Sequence, residues 1–387
     1  VLFPRNILRV RVIVRAAFVT LAGASLASLL ACEPGLRVRE IDAAQEKPAN
    51  VMVFFRVNAG PTPVSGLEES SFTLKEDEHV IGPGVDRVIV NPDLRSEQAT
   101  LVLLDLGGRP SPDELDAMAT GVSALLDKMA GQGARKVGLY ALDGASQPFP
   151  LAPFGSSLDA AKAAAARIPS YKTRDPSLDL NGGYIAALHL LKQATPTSSG
   201  PRIVNLVLVV RGPDRASRAD AKAVALELKK SDLDVSRYAV AFGVEATQET
   251  IAPKLRVFAD GPLALAASGD SLRGELQTIA DEIDVRGRSY YLLSYCTAAR
   301  GGPHRVELAV ERQQTNAKGH PELLKGSLDY SFRADGFGPG CTPDVPDGWR
   351  TDDHNRVSLV ATQGAKVDRP DHGKPAKAQS PAPIPPR

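Results

Sequence analysis

Short, nearly continuous apolar runs alternate with helically spaced segments through the middle of this chain. Ala99-Thr-Leu-Val-Leu-Leu-Asp105, Lys136–Leu142, Ile203–Val210 and Val235–Phe242 are such runs, and their length predicts strands covered on both faces. Ser111-Pro-Asp-Glu114 supplies a cap hydroxyl, a proline at the first helical position and an acid three residues after the cap, which predicts a helix to about Met129. Ser156 or Ser157 opens an Ala-rich helix through Ile168. Asp179 starts another through about Lys192, and Ser217-x-x-Asp220 caps one through Lys230. Two more helical stretches fall near Glu249–Phe258 and Ser271–Arg286. Strands alternating with helices imply βαβ units, hence an α/β fold with a doubly wound, mostly parallel sheet.

The flanks have a different period. Asn50–Val57, Ser71–Lys75, Ser289–Tyr295, His304–Val310 and Ser327–Phe332 show strand alternation between Pro/Gly turns. They predict a small antiparallel β-domain contributed by both ends of the chain, with the α/β domain inserted between them. The expected division is a leader at 1–31, a linker at 32–49, β-domain parts at 50–95 and 288–341, the α/β domain at 96–287, and a Pro/Lys-rich tail at 342–387. From Lys366 to Arg387 there are six prolines, five basic residues and two acids, with Val367 and Ile384 the only large aliphatic side chains. Such a segment cannot bury enough surface to offset its ordering entropy, so the tail is expected to be extended or disordered.

The first residues carry an address. Arg5, Arg9, Arg11 and Arg15 precede an apolar run from Ala16 to Ala31 with no acid among them, the layout of a secretory signal. Leu29-Leu30-Ala31-Cys32 closely resembles the lipobox of bacterial lipoproteins. That resemblance implies acylation of Cys32 as the mature N-terminus and attachment of the protein to a membrane through this lipid. The expected location is the bacterial cell envelope, with the outer membrane favoured. The competing reading is an uncleaved anchor. The run has 16 residues, interrupted by Thr20, Ser25 and Ser28, short of the ~20 apolar residues that span a bilayer.

Composition narrows the partners. With 46 basic and 45 acidic residues the formal charge is +1, and loss of the leader would remove four arginines and no acid. A near-neutral chain without a basic block in its folded part offers no electrostatic footprint for nucleic acid. If Cys32 carries lipid, Cys296 and Cys341 remain as a disulfide pair in an oxidising compartment, or as two buried or reactive thiols. Neither lies in a C-x-x-C or metal-ligand spacing.

The strand ending at Asp105, the helix at Asp179–Lys192, the strand Ile203–Val210 with Arg211-Gly-Pro-Asp214 after it, and the Val235–Gly243 strand together resemble the von Willebrand factor A fold. The nearest likeness is to bacterial envelope proteins related to that domain. They share an upstream segment similar to Pro63–Leu67 and Ser71–Asp77, and a Tyr-rich strand similar to Tyr290–Tyr295. The resemblance implies a divalent cation held by an Asp-x-Ser-x-Ser loop, a Thr in a second loop and an Asp in a third, since a hard cation takes oxygen ligands. Here the first loop keeps Asp105 but has Gly107 and Arg109 in place of both hydroxyls. The third has Val210-Arg211-Gly212 where Thr-Asp-Gly is expected, with Asp214 further on. Thr173 and Ser177 lie near the second-loop position but out of step. A guanidinium offers no lone pair and adds positive charge. The expectation is a degenerate, metal-free apex without cofactor, in which Asp105 pairs with Arg211, or else with Arg109.

Other chemistry leaves little trace. There is no Gly-x-Ser-x-Gly elbow, no His-Glu-x-x-His and no Walker-type loop. Asp175, Asp179 and Asn181 before Gly182-Gly183 suggest a calcium loop, but a helix cap at Asp179 accounts for the same residues. His79, His189, His304 and His320 stand isolated in the chain, and Tyr290, Tyr291 and Tyr295 fit packing roles. The reading is a non-enzymatic, lipid-anchored envelope protein that binds an unknown protein or envelope polymer. The competing readings are a scaffold or assembly factor using its Pro-rich tail, and an uncharacterised hydrolase.

Overall fold

The structure, a computed structural model, describes residues 35–83, 87–90, 97–130, 135–175, 177–194, 202–231, 233–316, 319–343, 349–351 and 357–359. The leader and Cys32 lie outside these residues. The chain begins with β1 (Leu36–Glu46), β2 (Asn50–Ala59), β3 (Thr62–Pro63), β4 (Phe72–Glu76), β5 (His79–Ile81) and β6 (Arg87–Val90). β1 occupies most of the stretch expected to be a linker, and it pairs antiparallel along the whole of β2. A bulge between Glu40 and Asp42 explains why it was illegible. Val38 and Ala43 pack into one core and Ile41 into another, because the extra residue shifts the alternation by one.

The α/β run follows as β7 (Glu97–Asp105), α1 (Pro112–Met129), β8 (Arg135–Leu142), β9 (Phe149–Ser156), α2 (Leu158–Ala165), α3 (Leu180–Ala194), β10 (Arg202–Val210) and α4 (Ala221–Lys230). β11 (Val235–Phe242), α5 (Gly243–Ala246), α6 (Ala252–Leu255), β12 (Ala264–Ala266) and α7 (Gly269–Gly287) complete it. The sheet order is β12-β11-β10-β7-β8-β9. Neighbours are parallel except β8 and β9. Numbered within the sheet this is the doubly wound order, with its reversal between β7 and β10. Side chains alternate across it: Val102, Leu104, Val207 and Val209 meet α1, α2 and α7, while Leu101, Leu103, Leu206 and Leu208 meet α3 and α4.

Several boundaries carry physical reasons. The Ser111–Glu114 capping box forms as the spacing predicts. Asp220 caps α4, leaving Ser217 on the preceding turn at φ +52°. The helix expected over Glu249–Phe258 is instead α6 followed by a single 3-10 turn. β9 was not expected from the sequence because Pro150 and Pro153 interrupt its pattern. Prolines are tolerated there because β9 is an edge strand whose outer face needs no ladder donor.

β13 (Tyr290–Cys296), β14 (Pro303–Thr315) and β15 (Pro321–Arg333) return to the flanking strands. One antiparallel sheet runs β1-β2-β13-β6, with β3 on β2, and a second runs β15-β14-β4-β5. Both therefore mix strands from before and after the α/β run. Val51, Val53, Phe55, Tyr291 and Leu293 of the first sheet face Phe72, Leu74, Val306 and Leu308 of the second. The first sheet's other face, with Met52, Phe54, Tyr290 and Leu292, packs on Ile203 at the start of β10. Asp234, just ahead of β11, receives Arg39 and Arg56 at 2.9 Å each and the Tyr290 hydroxyl at 3.2 Å. These contacts lie at the N-terminal ends of the parallel strands, so the ends carrying Asp105 and Arg211 point away from the sandwich. At Gly326 a Cβ would stand 2.2 Å from the Leu36 carbonyl oxygen; glycine permits that close passage of β15 beside β1.

Within the stretch expected to be a disordered tail, β16 (Trp349–Thr351) and β17 (Val357–Leu359) pair antiparallel. Residues 360–387 lie outside the described residues.

Cys296 and Cys341 form a disulfide, 45 residues apart in sequence with Cα atoms separated by 5.7 Å. Closing a loop of that length restrains the unfolded chain by about 4 kcal/mol in the entropy model. Changing both cysteines to serine should lower the unfolding free energy by ~2–4 kcal/mol in urea titrations, and the wild type under reductant should show the same loss.

Candidate functional site

The strand order reverses between β7 and β10, and open α/β sheets receive ligands at the C-terminal strand ends beside such a reversal. Asp105 closes β7 and is wholly buried. Its Oδ1 accepts the Gly107 N–H at 3.2 Å, and its Oδ2 accepts the Arg211 N–H at 2.9 Å. The guanidinium of Arg211 goes elsewhere. Nε donates to the Asp105 main-chain oxygen at 3.2 Å, Nη2 to the Gly107 oxygen at 2.6 Å and Nη1 to Glu114 Oε2 at 2.9 Å. This corrects the expected side-chain ion pair between Asp105 and Arg211. Main-chain carbonyls at the end of β7 have left the strand ladder, and leaving them buried without a donor is costly. A planar fork with five donors serves three acceptors at once.

Glu114 enters the site through its helix. In the α1 capping box its Oε2 accepts the Ser111 N–H at 2.7 Å, and the same oxygen receives Arg211. Burial alone would raise this carboxyl, but the bonds from Arg211 and Ser111 hold it below its usual value. Arg109, the other expected partner, is exposed at φ +57° and forms no ion pair among the described residues. Gly107 is closely packed: a Cβ there would stand 3.1 Å from the Ser177 oxygen and 3.3 Å from Leu178 Cδ1.

The segment that presses on Gly107 uses its polar groups internally. Thr173 Oγ1 donates to the Leu106 oxygen at 2.8 Å and Ser177 Oγ to the Gly144 oxygen at 3.1 Å. Asp175 accepts the Ser177 N–H at 2.9 Å. Asp179 is buried and caps α3 through the Gly182 N–H at 3.0 Å, with the Ser146 hydroxyl on its other oxygen and Arg218 at 3.6 Å. Asn181 Nδ2 donates to the Ala219 oxygen, so the residues that suggested a calcium loop act as caps and ties. Asp214 stands apart from Asp105 and accepts the main-chain N–H groups of Asn181 and Ser217 at 3.3 and 2.8 Å. Asp143, also buried, takes the Tyr171 hydroxyl at 2.6 Å with Arg174 at 3.8 Å. Three buried carboxylates, Asp105, Asp143 and Asp179, thus sit beneath the arginines Arg174, Arg211 and Arg218.

A second gathering of ligand-type side chains lies in the sandwich, where Glu76, Asp77 and His304 come together. His304 Nδ1 is 2.6 Å from Asp77 Oδ2 and Nε2 is 3.0 Å from the Gly301 oxygen. Burial would lower the pKa of this imidazole, but two acceptors facing its two nitrogens raise it. A protonated ring would donate from both nitrogens, and Glu76 is bonded to Thr297. The cluster is a hydrogen-bonded corner that joins the turn after β4 to β14.

No family model matches the chain, and no curated relative does. Solved structures similar to it include a von Willebrand factor type A protein from Catenulispora acidiphila, 12% identical, covering 77% of this chain and 73% of that one at a TM-score of 0.40. The pilus adhesin SpaC from Lactobacillus rhamnosus GG is 11% identical over 80% of this chain and 56% of its own, TM-score 0.40. The conserved hypothetical protein BatB from Bacteroides thetaiotaomicron is 16% identical over 49% of this chain and 99% of its own, TM-score 0.37. Likeness at this level identifies no activity, and the architecture rests on the strand order described above.

Burial pushes the Asp105 carboxyl up to about 6, against the pull of the Arg211 charge and the two main-chain donors. The folded chain then holds this proton more tightly than the unfolded chain, whose carboxyl titrates near 3.8. The contribution of Asp105 to stability is therefore greatest at low pH and falls as pH rises through that window, by about 3 kcal/mol in all. Urea unfolding at a series of pH values should show this fall in the wild type, and Asp105→Asn should flatten it. Arg211→Ala should steepen it and cost about 2–4 kcal/mol at neutral pH. Arg211→Lys should recover only part of the loss, since one ammonium cannot reach all three acceptors.

Proposed function

We propose that this protein is a non-enzymatic, lipid-anchored component of the bacterial cell envelope. In this reading a von Willebrand factor A-like domain at 96–287, set into an antiparallel β-domain formed from the flanks, binds another macromolecule through a metal-free apex. The observation that carries the reading is the position of the Arg211 guanidinium, bonded to Asp105, Gly107 and Glu114 at the strand ends. The residues present do not fit the cation that the family resemblance implies. A dication at Asp105 would meet a fixed positive charge, and both carboxylate oxygens are already hydrogen-bonded to main-chain donors. Gly107 and Arg109 supply no oxygen ligand in place of the missing hydroxyls. The apex hydroxyls of Ser146, Thr173 and Ser177 are structural donors. None of them is hydrogen-bonded to a histidine among the described residues, which favours binding over hydrolysis.

No described helix is long and apolar enough to cross a membrane. The membrane attachment in this reading is the lipid on Cys32, with the 1–31 leader removed.

Two experiments test it. Thermal melts with millimolar Mg²⁺, Ca²⁺ or Mn²⁺ should match those in chelator; a bound ion at 100-fold its dissociation constant would add about 2.7 kcal/mol and an evident rise in melting temperature. Such a rise, abolished by Asp105→Asn, would establish an intact cation site. For the anchor, Cys32→Ser should abolish metabolic labelling with palmitate and release the protein from membranes. Membrane retention with normal cleavage after Ala31 would refute lipidation at this residue.

A further inference from the structure

Beside the apex the surface opens into a groove of about 470 Å³ between the start of β9 and the stretch that follows α2. Phe149, Leu151 and Tyr171 form its apolar wall, each partly buried. Arg167, Lys172 and Arg174 stand on its rim, and no carboxylate lines it. Arg167 and Lys172 are exposed and form no ion pair among the described residues. Arg174 sits over the Phe149 ring, its Cζ 3.4 Å from the centroid, with its side chain 58% exposed. Its nearest acid, Asp143, is buried at 3.8 Å and already holds the Tyr171 hydroxyl.

Arg167 and Lys172 stand without an ion-pair partner among the described residues beside an apolar wall that no acid lines, and the ion-pair partner of Arg174 is the buried Asp143. A guanidinium held against an aromatic ring loses little freedom when it binds a carboxylate in two-pronged fashion. The ring beside it offers a surface for an apolar side chain. Pro150 and Pro153 remove donors from the β9 edge, so recognition here falls to side chains rather than to an added strand. The segment that lines the groove at Tyr171 is also tied to the apex loop, through Thr173.

We propose that this groove docks an acidic peptide segment of a partner protein, its carboxylates received by Arg167, Lys172 and Arg174 and an aliphatic or aromatic side chain lying against Phe149 and Tyr171. The proposal rests on the binding role argued above and gives that role a partner chemistry. Charge complementarity selects an anion, and the apolar wall selects a peptide over an anionic polymer that has only charge to offer.

The test is fluorescence anisotropy on the full chain, with a short fluorescein-labelled peptide that alternates Glu with Phe and Leu. The wild type should bind it, and the same peptide with Gln for every Glu should bind at least about tenfold more weakly. Arg167→Glu and Lys172→Glu should each weaken binding by about tenfold, and the milder Arg167→Gln and Lys172→Gln by less. All four variants should melt like the wild type, because both side chains are exposed. Lys229→Glu on α4, across the sheet from α2, is the net-charge control and should leave the affinity within about twofold. Equal binding of the Gln peptide, or unchanged affinity in the Arg167→Glu/Lys172→Glu double variant, would overturn the proposal. Inorganic polyphosphate that binds as tightly as the peptide and displaces it would overturn the peptide assignment in favour of a polyanion. None of these substitutions touches Asp105 or Arg211. Peptide binding lost only in Arg211→Ala would therefore refute the groove while leaving the apex as the binding surface.

Discussion

Every residue from Val51 to Phe55 is buried, and so is every residue from Tyr290 to Tyr295 in the antiparallel partner strand, because the sheet they share has a core on each face. Backbone groups placed there have no water to turn to, so the ladder between β2 and β13 must be complete. Each large side chain between the two cores contributes roughly 1.5–3 kcal/mol of burial. The pairing joins residues as far apart in sequence as Arg56 and Tyr290. It brings the two ends of the α/β run together at the N-terminal edge of the parallel sheet. The polar lock around Asp234 fits the same edge, with Arg39, Arg56 and Tyr290 converging on one carboxylate.

With one end of the parallel sheet occupied by the sandwich, the C-terminal strand ends and their loops face away from it. There the chain solves a problem of unpaired oxygens. Strand β7 ends in a buried carboxylate and in carbonyls beyond the ladder, and the resemblance would have a dication gather such oxygens. Arg211 gathers them with directional N–H donors and a single delocalised charge. The carboxylate of Asp105, left to main-chain donors, keeps its proton to higher pH than an exposed aspartate does. Arg174 and Arg218, each more than half exposed, lie over the buried Asp143 and Asp179, whereas the Arg211 side chain is itself largely buried.

Much of this was legible in the residues. The apolar runs at Ala99–Asp105, Ile203–Val210 and Val235–Phe242 became central strands, because strands buried on both faces have little freedom in composition. The Ser111–Glu114 box became a helix start, since capping is decided within four residues. Elements that rely on distant neighbours were harder to see. β1 is broken in phase by a bulge, β9 is written in prolines, and β12 has only three residues. At the strand ends, Gly107, Arg109 and Arg211 stand out in the chain as residues whose side chains carry no oxygen, whereas the partner of each arginine does not. Glu114 was recognisable only as a capping residue, although its carboxylate also completes the arginine fork. His304 looked isolated, yet Asp77, 227 residues away in sequence, lies against its ring.

Sequence by itself determined the central strands and the capped helix starts, because periodicity and capping are local properties. Tertiary structure alone decided that Arg211 serves the carbonyls rather than the carboxylate of Asp105. It also brought Arg167, Lys172 and Arg174 around one apolar wall and turned the apex away from the sandwich. Those outcomes depend on which unsatisfied groups and charges folding places within a few ångströms of one another, and spacing along the chain does not encode that.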